Sequence, residues 1–127
     1  MKPVELEYLR SKYGKKLQEG LFMSSYTSAR AGGPADAAIV VKSKDELAQI
    51  GKQLWEKEIP FVVIGGGSNL LVSDKGIRDL VLLNKAKSIQ IINDPESPML
   101  AADSGTTMNN LAQKAAEWGM SGLEWAA

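Results

Sequence analysis

The 127 residues include no cysteine and no histidine. Without cysteine there is no disulfide, no thiolate nucleophile and no sulfur ligand for a metal. Without histidine the commonest general base and the commonest metal ligand are also missing. Charge of one sign is lacking too, because fifteen Lys and Arg balance fifteen Asp and Glu. No basic cluster offers the electrostatic footprint of a nucleic-acid binder. No apolar run reaches the length of a membrane span, and residues 1–20 alternate in charge where a signal peptide would be apolar. These absences point to a cytoplasmic protein with no metal site, bound to neither nucleic acid nor membrane. Such a chain does little covalent chemistry alone, so in an enzyme the hard step falls to a cofactor or to another segment.

What is present is an ordinary globular composition, 44% hydrophobic and 24% charged, in one domain's worth of chain. Residues 3–19, PVELEYLRSKYGKKLQE, space Val4, Leu6, Leu9, Tyr13 and Leu17 as one face of a helix. Pro3 suits its first turn and Gly20 its stop, while Gly14 weakens it. A loop through LFMSSYTSARAGGPAD follows. AAIVVK (37–42) then has the character of a buried strand. Ser43 and Glu46 form a capping box, opening a helix with Leu47, Ile50, Leu54 and Trp55 on or near one face and ending before Pro60. FVVI (61–64) is a second strand, so the unit is βαβ and its strands are parallel. LVLL (80–83) is a candidate third.

After Asn84 the pattern changes. SIQII (88–92), the turn NDPESP and MLAAD (99–103) predict an antiparallel hairpin. Thr106 or Thr107 then caps a helix that buries Leu111, Ala115 and Trp118 and ends at Gly119. Trp55 and Trp118 are expected in the core. The chain ends on apolar residues in MSGLEWAA, and exposed apolar ends of that kind favour self-association.

The stretch FVVIGGGSNLLV raises the functional question, since consecutive glycines cost backbone entropy. Their place, after a strand of a parallel sheet, is where α/β folds put ligands. The Rossmann fingerprint fails because its sixth position is Leu70, and the Walker A loop fails for want of a lysine in register. Two readings remain. Gly65, Gly66 and Gly67 form a tight turn that uses positive φ. Alternatively, with the Ser68 hydroxyl and the Asn69 amide, they form a nest of N–H groups for phosphate oxygens, with no Lys or Arg required.

Thr27, the run Arg30, Gly32, Gly33 and Ala35, the loop Gly65, Gly67, Ser68 and Asn69, and the segment Gly122, Leu123 and Glu124 occur in one order across nearly the whole chain. Together they resemble the UDP-N-acetylenolpyruvoylglucosamine reductase (UDP-N-acetylmuramate dehydrogenase) family, which has the p-cresol methylhydroxylase type of FAD-binding domain. The resemblance implies an α+β fold whose first half is α/β. An N-terminal helix (1–20) precedes the first βαβ subdomain (21–86), and the second subdomain starts at 87–127.

It also implies an oxidoreductase that uses FAD and NADPH to convert UDP-N-acetylglucosamine enolpyruvate to UDP-N-acetylmuramate in peptidoglycan synthesis. Gly65, Gly66, Gly67, Ser68 and Asn69 would wrap the FAD pyrophosphate, and Ile64 would either line the flavin pocket or belong to the core. Arg30, beside a Gly-Gly-Pro turn, is expected to brace that loop. Ala29 and Ala31 depart from the bulkier residues usual in the family. Family members are more than twice as long, and the arginine, glutamate and serine they use for chemistry lie beyond the matched part. No catalytic residue is therefore assigned, and the chain alone is expected to be inactive. The rival expectation is a non-enzymatic module that binds a nucleotide or associates with itself.

Overall fold

In the computed structural model, which describes residues 1–92 and 97–126, helix α1 (Pro3–Tyr13) opens the chain. Glu5 accepts from the Lys2 N–H and carries the first turn, and Leu9 is its buried residue. The predicted helix to residue 19 stops early. Gly14 takes φ +49, and after one 3₁₀ turn (Gly14–Lys16) the chain becomes strand β1 (Leu17–Phe22). Leu17 is therefore a strand residue, and Gly20 sits inside the strand at φ +64. LQEGLF gives no alternating apolar signal because β1 is an edge strand, mostly open to solvent. Arg10 grips Glu19 through two hydrogen bonds of 2.7 Å, tying α1 to β1.

A 3₁₀ turn (Met23–Tyr26) leads to strand β2 (Pro34–Val41), which begins three residues before the predicted start. Ser43 caps helix α2 (Lys44–Glu56) by accepting from the Glu46 N–H at 3.2 Å. The Glu46 carboxylate reaches back to the Lys42 N–H at 2.9 Å and also accepts from Lys16. The Lys42 N–H bond, then the Lys16 contact, hold its pKa below the usual carboxylate range against a small opposing desolvation. The contribution is full above the ordinary glutamate value and is lost as pH falls through the lowered one. Glu46→Gln is expected to cost about 0.5–1 kcal/mol at neutral pH, with the difference in melting temperature shrinking as the pH falls through the lowered value. Thermal melts at several pH values check this.

Strand β3 (Phe61–Ile64) and strand β4 (Ile77–Asn84) complete a four-stranded sheet of order β1-β2-β4-β3. β1 is antiparallel to β2, and β4 is parallel to both β2 and β3. The two strands of the βαβ unit are thus parallel as expected, with the third strand inserted between them. Val40 and Ile64 both pair with Leu83, so β2, β3 and β4 have their carboxyl ends at one edge.

The alternation of β2 and β4 divides the core. Ala37, Ile39, Val41, Leu80 and Leu82 pack with Leu9, Ile50 and Leu54 under the helices. Ala35, Ala38, Val81 and Leu83 pack on the other face with Met23, Ile64 and Val72. Among the described residues, no α-helix contributes a side chain to that second cluster. Residues 23–33 and 65–76, two irregular segments, lie across it.

Trp55 departs from expectation at 79% exposure, because α2 buries Ile50 and Leu54 and the next residue turns off that face. Strands β5 (Ile89–Ile92) and β6 (Met99–Ala102) form the predicted antiparallel hairpin, whose turn at 93–96 lies outside the described residues. Thr107, not Thr106, caps helix α3 (Met108–Glu117). Its buried residues are Ala112 and Ala115, with Leu111 only half-buried. Trp118 lies at the helix end, 39% exposed, beneath the Lys114 ammonium rather than in the core. Gly119, at φ +71, ends the helix as predicted.

Candidate functional site

β3 delivers the glycines to the carboxyl edge of the sheet. Ile64 is 5% exposed and points into the second core face, so it anchors the loop from below. The three glycines have three different surroundings. A β-carbon on Gly67 would sit 1.9 Å from the Tyr26 carbonyl oxygen, and its φ is +70. One on Gly65 would sit 2.8 Å from the Ser104 carbonyl oxygen. One on Gly66 would meet no atom within 4 Å, and Gly66 lies outside the left-handed region. The turn reading therefore accounts for Gly67, and close packing accounts for Gly65. Neither accounts for Gly66. A bare backbone facing open space is what close approach by a ligand requires.

Ser68 and Asn69 follow in a turn, both exposed. The loop is held on one side by residues 26–28, where the Ser28 N–H donates to the Gly67 carbonyl at 3.1 Å. Thr27 is buried, and its hydroxyl donates to the Ala31 carbonyl at 2.9 Å, closing the turn. Gly33 faces the Asp74 carbonyl so closely that a β-carbon would lie 2.0 Å from that oxygen. The Gly33 N–H donates to Ser73 at 2.9 Å, so the two irregular segments brace each other through backbone.

Arg30 is not that brace. It sits at φ +51 with an exposed side chain, and among the described residues no hydrogen bond or ion pair holds its guanidinium. Only its N–H takes part, donating to Thr27.

On the other side of the loop stands the turn after β6. Buried Asn84, last residue of β4, donates to the Ser104 hydroxyl at 2.6 Å and accepts from the Ala86 N–H at 3.0 Å. Gly105 fits against the carbonyls of Asn84 and Ala86, which a β-carbon would meet at 2.9 and 2.4 Å. Asn84 is a contributor that sequence reasoning missed; a polar residue closing a run of four apolar strand residues was the available signal. Gly122, Leu123 and Glu124 are grouped locally, with the Glu124 carboxylate accepting from the Gly122 N–H at 2.8 Å and Trp125 78% exposed beside them. A hollow of about 950 Å³ lies away from all of this, at the amino ends of β3 and β4 between Glu5, Trp55 and Phe61. At the glycine site Gly66, Ser68 and Asn69 are exposed to solvent.

Comparison with known proteins bears on the family and the fold. Residues 35–127 match the family described as "FAD binding domain". The UDP-N-acetylenolpyruvoylglucosamine reductase of Prochlorococcus marinus (strain NATL2A) is 39% identical over 112 residues, covering 87% of this chain and 38% of that protein. Its counterpart in Heliobacterium modesticaldum is 41% identical over 105 residues, covering 82% and 32%. The crystal structure of UDP-N-acetylenolpyruvylglucosamine reductase from Thermus caldophilus superposes with a TM-score of 0.59 at 32% identity, over 85% of this chain and 36% of that one. p-Cresol methylhydroxylase shares the fold, with a TM-score of 0.62 at 17% identity over 94% of this chain and 26% of that one. The chain spans about a third of the length of the curated relatives it matches.

Proposed function

This chain belongs to the FAD binding domain family, and on that premise we propose that residues 65–69 bind the FAD pyrophosphate in a UDP-N-acetylenolpyruvoylglucosamine reductase. The parent reaction is the NADPH-dependent reduction of UDP-N-acetylglucosamine enolpyruvate to UDP-N-acetylmuramate, a step of peptidoglycan synthesis. The observation that carries this reading is Gly66, whose missing side chain no contact within the protein demands.

FAD, when bound, supplies the hydride-accepting and hydride-donating ring system of the reaction. The chain's own part is binding and orientation. Backbone N–H groups at Gly66 and Gly67 would meet phosphate oxygens, the Ser68 hydroxyl would donate one further bond, and the Asn69 amide would donate or accept another. Ile64, seated in the core, fixes where the loop begins. The proposed organisation is a first subdomain (21–86) carrying the loop and a second (87–127) whose Ser104–Gly105 turn walls it; residues 1–20 are no separate helix, because β1 crosses that boundary and joins the first subdomain's sheet.

The test is a titration of the ¹⁵N-labelled chain with FAD. Amides of Gly65 to Asn69 are expected to shift, while residues lining the distant hollow stay in place. Shifts confined to the hollow would overturn the assignment. Because residues 65–69 hold no acid–base pair, the 127-residue chain with FAD, NADPH and the enolpyruvyl substrate is expected to oxidise no NADPH above a protein-free control. Substrate-dependent oxidation would show that chemistry resides in this part after all.

A further inference from the structure

The loop contains no charged side chain, yet a pyrophosphate brings negative charge to it. Lys85, the first residue after β4, lies at the same edge of the sheet. Its N–H is fixed to the Val41 carbonyl at 2.7 Å, and a β-carbon on Gly105 would lie 2.9 Å from its carbonyl carbon. Its half-buried side chain runs to the opposite wall, where the ammonium stands 5.7 Å from the centre of the Tyr26 ring.

The contacts close a circuit around the glycines. Gly65 touches Ser104, Gly105 touches Lys85, the Lys85 ammonium covers Tyr26, and the Tyr26 carbonyl touches Gly67. Lys85 thus joins both walls of the site, and among the described residues no carboxylate lies within 4.0 Å of its ammonium. An ammonium held over an aromatic face loses part of its hydration and is steered by the ring. We propose that Lys85, positioned by Tyr26, is the cation that pairs with the phosphates of the ligand bound at Gly65–Asn69.

This rests on the pyrophosphate reading of the loop, and the experiment separates the two. The ¹⁵N-labelled 127-residue chain, with Lys85→Gln, Lys85→Arg and Arg30→Gln variants, is titrated with FAD and with riboflavin, which lacks phosphate. Melting temperatures are measured in parallel. In the wild type, FAD is expected to shift both the loop amides and the Lys85 side-chain signals. Lys85→Gln is expected to bind FAD about tenfold more weakly and Lys85→Arg within about threefold of wild type, as for loss or retention of one charge-assisted hydrogen bond. Added salt should weaken FAD binding less in Lys85→Gln than in wild type. Riboflavin response, melting temperature and the Arg30→Gln affinity are expected to be unchanged.

If FAD shifts the loop amides with equal affinity in wild type and Lys85→Gln, the lysine assignment is overturned and the loop assignment survives. If the loop amides ignore FAD, both fall. If Lys85→Gln lowers the melting temperature and weakens riboflavin by the same factor as FAD, the lysine is structural only, which also overturns the proposal.

Discussion

Gly66→Val is expected to cut FAD affinity at least a hundredfold, on the order of 3 kcal/mol, while leaving the melting temperature within about 2 °C of wild type. Both halves follow from the position's surroundings. Apart from its chain neighbours, no atom lies within 4 Å of the place a β-carbon would occupy, so the side chain starts out into open space. The φ of Gly66 is outside the left-handed region, so the substitution carries no strain of the kind expected from the sequence, where all three glycines were candidates for positive φ. Only the ligand is obstructed. The branched side chain would occupy the space in which phosphate oxygens meet the backbone N–H groups. Equilibrium dialysis against FAD, with a thermal melt of the same sample, decides the matter. A variant that keeps its FAD affinity would reduce the loop to a turn.

The neighbouring glycine is expected to behave in the opposite way. Gly67→Ala should lower the melting temperature by about 10 °C or more, whether or not FAD is present. The left-handed φ of +70 costs a non-glycine residue on the order of 1–3 kcal/mol. The added carbon would also stand 1.9 Å from the Tyr26 carbonyl, so residues 26–28 must retreat and give up the Ser28 to Gly67 hydrogen bond. Differential scanning fluorimetry of Gly67→Ala beside Gly66→Val separates the packing role from the ligand role in two adjacent positions. Equal melting temperatures for the two variants would contradict the close seating of Gly67 on Tyr26.

The part of the fold visible in the sequence is the part built from local signals. Ser43 and Glu46 mark α2 because their bonds span only a few residues. The runs at 37–41 and 80–83 read as strands because β2 and β4 are buried on both faces. β1 escaped notice because LQEGLF is half solvated and interrupted by a glycine, and its pairing with β2 is a tertiary fact. Trp55 and Trp118 misled because hydrophobicity cannot tell which flank of a helix ends against solvent. At the site, the glycine run was conspicuous, but the division of labour among its members was not. It depends on Tyr26 and Ser104, residues 41 and 39 positions away from the glycines they touch. Lys85 was invisible for the same reason, whereas Asn84 left a local trace as the polar residue that closes LVLL.

The sheet order β1-β2-β4-β3 makes the last strand of the sheet in sequence a central one, and β3 has β4 as its sole neighbour. A ribosome releases the chain from the amino end, so Phe61–Ile64 and the glycines emerge before the strand that will hold them. At roughly 5–20 residues per second, the interval between Ile64 and Asn84 lasts on the order of seconds. For that time FVVI is an unpaired apolar strand and the loop has no frame, which makes this nascent stage a natural client for a holding chaperone. The edge that carries the glycine loop does not mature after the sheet; it comes into being in the same closure. Translation halted before Asn84 would yield neither.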